Sequence, residues 1–197
     1  FGGGACWTLD EVKDVAEASK RHGLAMHMDG ARLLNAVEAT GTSAQKFASN
    51  CDSTWIDLSK GLGCPVGAVL VGSRDFIEES WRWKHQFGGA MRQSGIIAAA
   101  GVYALQNHVE RLADDHINAK RLAQGLMQIP GIEVDPEEPE TNMVFFDATA
   151  TGMDNYEMSE KLLQKGIRIG AGYGPKDLMR AVTHLDVDAS GIDLALS

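Results

Sequence analysis

The chain has 197 residues and is 44% hydrophobic, enough for one large domain or one and a half smaller ones, and this composition excludes a disordered polypeptide. Its 27 acidic and 18 basic residues leave a net charge of −9, which argues against nucleic acid or an anionic membrane as a partner. The apolar stretches Val66 to Val71 and Ile96 to Leu105 are too short and too broken by glycine to cross a bilayer, and no signal peptide opens the chain. Cys6, Cys51 and Cys64 are odd in number and widely spaced, without the paired spacing of a disulfide framework or a zinc site. The expectation is a cytoplasmic protein without a structural metal.

Thr8-Leu-Asp-Glu11 has the spacing of a capping box, and Val12, Val15 and Ala16 continue it as one face of a helix that runs to Gly23. Leu24 to Met28 reads as a buried strand ending at Asp29-Gly30, and a second helix opens at Ala31 and runs to Val37. Thr54 to Leu58 and Val66 to Val71 read as two further strands. Strands alternating with helices predict an α/β fold with a mainly parallel sheet, in which reactive side chains gather at the carboxyl ends of strands. Asp29 and Lys60 both stand at such ends, 31 residues apart, the length of one strand-helix-strand repeat.

From Gln93 to Ile129 the pattern is helical almost throughout, until Pro130-Gly131 ends it. Beyond it come a strand at Ile132 to Val134, an acidic loop from Asp135 to Glu140, a strand at Met143 to Asp147 and a helix at Tyr156 to Lys165. Strands at Ile167 to Gly170 and Arg180 to Leu185 complete the pattern. The expected division is a large-domain part over residues 1–130 and a small α+β part over residues 131–197. The opening Phe1-Gly2-Gly3-Gly4 lacks an initiator Met and the chain stops at Ser197 within a helical stretch, so it reads as a fragment.

Lys60 is surrounded by glycines in Leu58-Ser-Lys-Gly-Leu-Gly-Cys-Pro-Val-Gly67, which leaves its amine sterically open. Partial burial would favour the neutral amine that attacks an aldehyde, as a Schiff-base lysine must; the same tripeptide also suits a surface lysine in a turn. In Met28-Asp-Gly-Ala-Arg32, a strand-end carboxylate fixed by an arginine three residues on suits the acceptor for a protonated ring nitrogen. Asp29 equally suits a cap for the helix that follows. His27 reads as a packed core histidine, and Trp55, Trp81 and Trp83 as core or interface anchors.

Taken together, His27-Met-Asp-Gly-Ala-Arg-Leu-Leu-Asn35, Asp57-Leu-Ser-Lys-Gly-Leu-Gly-Cys-Pro-Val-Gly67, Gly88-Gly-Ala-Met-Arg-Gln-Ser-Gly95 and Arg180-Ala-Val-Thr-His-Leu-Asp186 resemble the threonine aldolases, pyridoxal-phosphate enzymes of the aspartate aminotransferase fold (fold type I). The motifs stand in family order and span nearly the whole chain. The resemblance implies that Lys60 is the Schiff-base lysine for pyridoxal 5'-phosphate, that Asp29 pairs with the pyridinium nitrogen and that Arg32 holds Asp29. It further implies that Arg180 grips the carboxylate of the amino acid, with the fork geometry that bidentate capture requires. Arg92 matches an arginine expected near the cofactor phosphate or a subunit interface, and His85 stands where many members carry a lysine. Ala90 replaces a glycine usual in its motif.

The implied reaction is cleavage of a β-hydroxy-α-amino acid, of the threonine, allo-threonine or phenylserine type, to glycine and an aldehyde. The alternatives are β-elimination or transamination on the same fold, or a non-catalytic binding protein built on it. Family members assemble as dimers or tetramers, so a homo-oligomer is expected.

Overall fold

The computed structural model describes residues 3–197; Phe1 and Gly2, at the glycine-rich opening, lie outside them. The chain forms two compact units, one of Trp7–Leu112 and one of Ala113–Ser197 joined by the segment that ends at Cys6.

In the first unit, α1 (Leu9–Arg21) begins as its sequence predicts. The Glu11 N–H donates to Thr8 Oγ1 at 3.2 Å, and Glu11 Oε2 accepts from the Thr8 N–H at 2.7 Å. Val12 and Ala16 form the buried stripe of this helix. Strand β1 (His27–Gly30) is followed by α2 (Leu33–Thr40), the short α3 (Ala44–Ala48) and β2 (Ser53–Asp57), which lies parallel to β1. The strand expected from Leu24 starts later because Met26 is engaged at the turn, where its N–H donates to Asp52 Oδ2 at 2.7 Å.

Strand β3 (Ala68–Gly72) pairs with β2 in the antiparallel sense, in the order β1-β2-β3. The sheet is therefore mixed rather than mainly parallel. A parallel return needs a crossover of a dozen or more residues, and the Leu58 to Gly67 connection is shorter and contains no helix.

Two further helices, α4 (Arg74–Gln86) and α5 (Gly95–Asn107), complete the unit. Ser73 caps α4, accepting from the Phe76 N–H at 3.2 Å. The long helical run expected from Gln93 is broken after α5, where His108 ends the helix and its Nδ1 lies 2.7 Å from the Leu62 carbonyl.

The second unit opens with α6 (Leu112–Leu126), followed by β4 (Glu133–Val134), β5 (Met143–Asp147), a 3-10 turn at Thr149–Thr151 and α7 (Asn155–Gln164). Strands β6 (Gly170–Tyr173) and β7 (Leu178–Val182) and helix α8 (Ala189–Leu196) follow. The four strands form an antiparallel sheet in the order β4-β5-β7-β6.

The division falls before Ala113, ahead of the boundary expected near residue 130. The reason is packing: Ala119, Leu122, Ala123 and Leu126 of α6 join Val144, Phe146, Met179 and Ala181 in one buried cluster, so the helix belongs with this sheet. The segment before Trp7 is docked on the same unit. The Thr141 hydroxyl donates to the Gly4 carbonyl at 2.7 Å, and the Cys6 N–H donates to the Glu140 carboxylate at 2.8 Å. Among the described residues no helix is long and apolar enough to cross a membrane.

Candidate active site

Alternation along β1 and β2 separates two faces. Met28 and Ile56 pack against Val12, Leu33 and Phe47 on one of them. His27 and Asp29, with Ser53, Trp55 and Asp57, occupy the other. Asp29 is the register partner of Trp55, so their side chains leave the sheet together. This second face is the more open one, with His27 and Asp29 both exposed.

Lys60 reaches the same face from the turn after β2. Its Nζ lies 3.2 Å from Asp57 Oδ2 and 5.5 Å from the centroid of the Trp55 ring. The amine is thus held above the register partner of Asp29, as the shared strand ends predict. The Lys60 side chain keeps 40% of its surface exposed, whereas Asp57 keeps 9%.

The loop that carries Lys60 is pinned on both sides of it. The Cys64 N–H donates to the Leu58 carbonyl at 2.9 Å, the Gly63 N–H donates to the Lys60 carbonyl at 2.9 Å, and the Leu58 N–H donates to the Gly67 carbonyl at 3.1 Å. Leu58, Leu62 and Cys64 are buried against Ala104 of α5. These apolar anchors alternate with the glycines, which explains how an open lysine can sit on a fixed backbone. Gly61 is also needed for contact, since a side chain there would press on Leu112 and Asn35.

Asp57 is a neighbour of Lys60 that sequence reading misses. Burial pushes its carboxyl up, but hydrogen bonds from the Ser59 hydroxyl at 2.7 Å and the Ser59 N–H at 2.6 Å, together with the Lys60 ammonium, outweigh burial and hold it below the usual carboxylate range. The available signal was a carboxylate three residues before the lysine. Trp55 is likewise more than a core anchor, because its ring faces the Lys60 ammonium.

Asp29 Oδ1 accepts from the Ala31 N–H at 3.0 Å, so the carboxylate shapes the turn after β1. It is not the cap of α2, whose N-cap position is Arg32. Gly30 sets the approach of the two strands next to Asp29, since a Cβ there would collide with the Trp55 carbonyl. His27 is not a packed core histidine: it is exposed, with Nδ1 2.8 Å from Ser53 Oγ.

Arg32 is half-buried at the entry to α2. His85 lies in the last turn of α4 with its ring edge-on to Trp81 at 5.2 Å, and Arg92 is exposed between α4 and α5. No described contact joins either of them to Lys60.

Arg180 belongs to the second unit, in β7 between Phe145 of β5 and Gly170 of β6. Its guanidinium carbon lies 3.9 Å from the centroid of the Tyr173 ring, and its buried Nε has no hydrogen-bond partner among the described residues. No described group of three or more His, Cys, Asp or Glu side chains is arranged to hold a metal ion.

An amine and a carboxylate sharing one open sheet face, with an aromatic ring beneath the amine, is a donor set that fits pyridoxal phosphate. The amine suits the aldehyde and the carboxylate suits the ring nitrogen.

Residues 1–149 match the beta-eliminating lyase family model. The chain is 40% identical to low-specificity L-threonine aldolase 1 of Arabidopsis thaliana, over 99% of this chain and 54% of that protein. It is 44% identical to the low specificity L-threonine aldolase of Escherichia coli K12, over 89% of this chain and 50% of that protein. It therefore spans about half the length of these relatives. The structure of Leishmania major threonine aldolase shares the fold, with a TM-score of 0.77 at 20% identity, over 99% of this chain and 56% of that one. The family match covers most of the sequence and contains the Lys60 and Asp29 segments: the chain belongs to the beta-eliminating lyase family.

Proposed function

We propose that this chain carries the cofactor lysine of a pyridoxal-phosphate enzyme that cleaves β-hydroxy-α-amino acids to glycine and an aldehyde. The observation that carries the reading is the Lys60 ammonium set over Trp55, the register partner of Asp29, on the open face of β1 and β2. When bound, the cofactor supplies an aldehyde for covalent attachment and an electron-poor ring that accepts the electron pair of the bond being broken. Lys60 holds the cofactor through its ε-amine. Asp29 would accept a hydrogen bond from the ring nitrogen and favour its protonated form, and Arg32 would steady Asp29.

Asp57, 3.2 Å from Lys60 Nζ, orients the amine on this face. Arg180 would bind the carboxylate of the amino acid through its forked N–H donors. Arg92 and His85 are assigned to the cofactor phosphate or to a subunit interface. Their solvent exposure suits either role.

The names of the relatives favour aldol cleavage of threonine, and allo-threonine and phenylserine are assigned as further substrates of the same type. The family model favours β-elimination as the second reading. Products separate the two readings: glycine and an aldehyde support cleavage, whereas ammonia and a keto acid support elimination. The enzyme is assigned to the cytoplasm as a dimer or tetramer, and the exposed apolar side chains of α4 and α5 supply surface for assembly.

The test is to add pyridoxal phosphate to the full-length protein, reduce with borohydride and map the modified peptide by mass spectrometry. One pyridoxyl group on Lys60, absent from Lys60→Ala, is expected. An unlabelled Lys60 would overturn the reading.

A further inference from the structure

Arg180 is held by unusual means. Among the described residues it makes no ion pair, and its buried Nε is unpartnered. What lies against it is the Tyr173 ring, 3.9 Å from the guanidinium carbon.

The backbone of β6 is built to put that ring there. Gly170 is the register partner of Arg180, and the pairing of β6 with β7 becomes irregular between Gly170 and Tyr173. Gly172 sits at φ +82°, a turn that a side chain resists, and the space a Cβ would take there is filled by the Tyr156 hydroxyl at 2.5 Å. The register shift carries one extra residue in β6, and the Tyr173 ring covers the place where Gly170 has no side chain. A Cβ on Gly170 would lie 2.8 Å from Tyr173 Oη and 3.0 Å from Cε2. Two glycines and a bulge therefore deliver one aromatic face to one guanidinium.

Stacking differs from an ion pair in what it leaves free. It engages the flat face of the guanidinium, and the in-plane N–H donors remain available for a carboxylate ligand. An acidic neighbour would orient the arginine equally well but would compete with the ligand for those donors. Phe145 and Leu178 line the same hollow as Tyr173; Asp135 lines it too, but its carboxylate lies 3.8 Å from Lys176 Nζ and, among the described residues, makes no ion pair with Arg180.

We infer that Tyr173 is a positioning residue that stacks on Arg180 and aims its N–H edge at the α-carboxylate of the amino acid substrate. The inference rests on the reading of Arg180 as the carboxylate-binding residue. It makes Tyr173 a determinant of substrate affinity, separate from the bond-breaking chemistry at Lys60.

Steady-state kinetics of the full-length enzyme with L-threonine test it, using Tyr173→Leu, Tyr173→Phe and Arg180→Ala. Tyr173→Leu keeps apolar volume and the fold but loses the π face, and KM is expected to rise about tenfold with kcat within about twofold of the parent, in keeping with one desolvated cation–π contact. Tyr173→Phe restores the ring and is expected to restore KM. In an Arg180→Ala background, Tyr173→Leu is expected to add nothing further.

An unchanged KM in Tyr173→Leu overturns the proposal when Arg180→Ala does raise KM. Equal loss in the Phe and Leu variants also overturns it, since the hydroxyl and not the ring would then be at work. If Arg180→Ala leaves KM unchanged, the carboxylate reading itself fails, with pyridoxyl labelling at Lys60 unaffected.

Discussion

The two sheets of this chain bury themselves to different extents. In the sheet of β4 to β7, Val144, Phe146 and Met179 are almost wholly excluded from solvent, and α6 and α8 contribute Leu122, Leu126 and Ile192 to the same core. In the sheet of β1 to β3, all five residues of β3 are exposed and α4 buries none of its residues. Trp81, Trp83, Phe87 and Ile96 stand in solvent on this unit. The unit that carries Lys60 therefore buries less of its own apolar surface than the other. Contiguous exposed apolar surface is where other protein surface can pack.

The contrast is open to measurement. The largest effect is expected in the closed core: Phe146→Ala should cost about 3–5 kcal/mol in denaturant unfolding. Trp83→Ala on α4 should cost well under about 1 kcal/mol in the isolated chain. Equal losses would erase the contrast between the units.

Thiol reactivity is the next probe. Burial, then the Glu140 charge and the hydrogen bond to Glu140, push the Cys6 thiol up from its ordinary value of 9.0 to about 11. At pH 8 its thiolate fraction should be roughly a hundredfold lower than that of an unperturbed thiol, and its alkylation should lag accordingly. Glu140→Gln should speed that reaction. Because the pKa is raised, the associated stability is present below about pH 9 and fades as pH climbs toward 11.

At the open sheet, Gly30→Ala forces β1 away from the Trp55 carbonyl and should cost about 1–3 kcal/mol, with reduced pyridoxyl labelling at Lys60 because Asp29 moves with the strand.

The smallest effect belongs to Asp57. Its carboxyl is held low, so its contribution is present above the ordinary carboxylate range and is lost as pH falls through the folded value. Asp57→Asn should flatten that acid limb of the stability curve. The half-exposed Lys60 limits the change to less than about 1 kcal/mol. Hydrogen exchange provides a parallel check, with slow amides expected in β5 and β7 and faster ones in β3.

Much of this organisation was legible beforehand. The capping box at Thr8, strand β5 at Met143 to Asp147 and the helix after Asp154 follow from local chemistry: a hydroxyl or carboxylate three residues before its N–H partner, or an apolar run bounded by polar turns. The strand-end positions of Asp29 and Lys60 followed from their spacing. The direction of β3 did not, because an apolar run has no polarity of its own and only the length of the preceding loop chooses it. The helical run from Gln93 to Ile129 hid a break at His108, where a hydrogen bond to the Leu62 carbonyl 46 residues away interrupts a continuous helical pattern.

By itself, the sequence determined the candidate residue types: a lysine among glycines, a carboxylate at a strand end and an arginine in a late strand, each carried by a short motif. Tertiary structure alone decided their company. Asp57 and Trp55 meet Lys60 because β2 alternates its side chains onto one face, and Tyr173 meets Arg180 because a register shift in β6 lets its ring lie over Gly170. Motifs encode which groups are present; strand register, set by packing across distant segments, determines which of them touch.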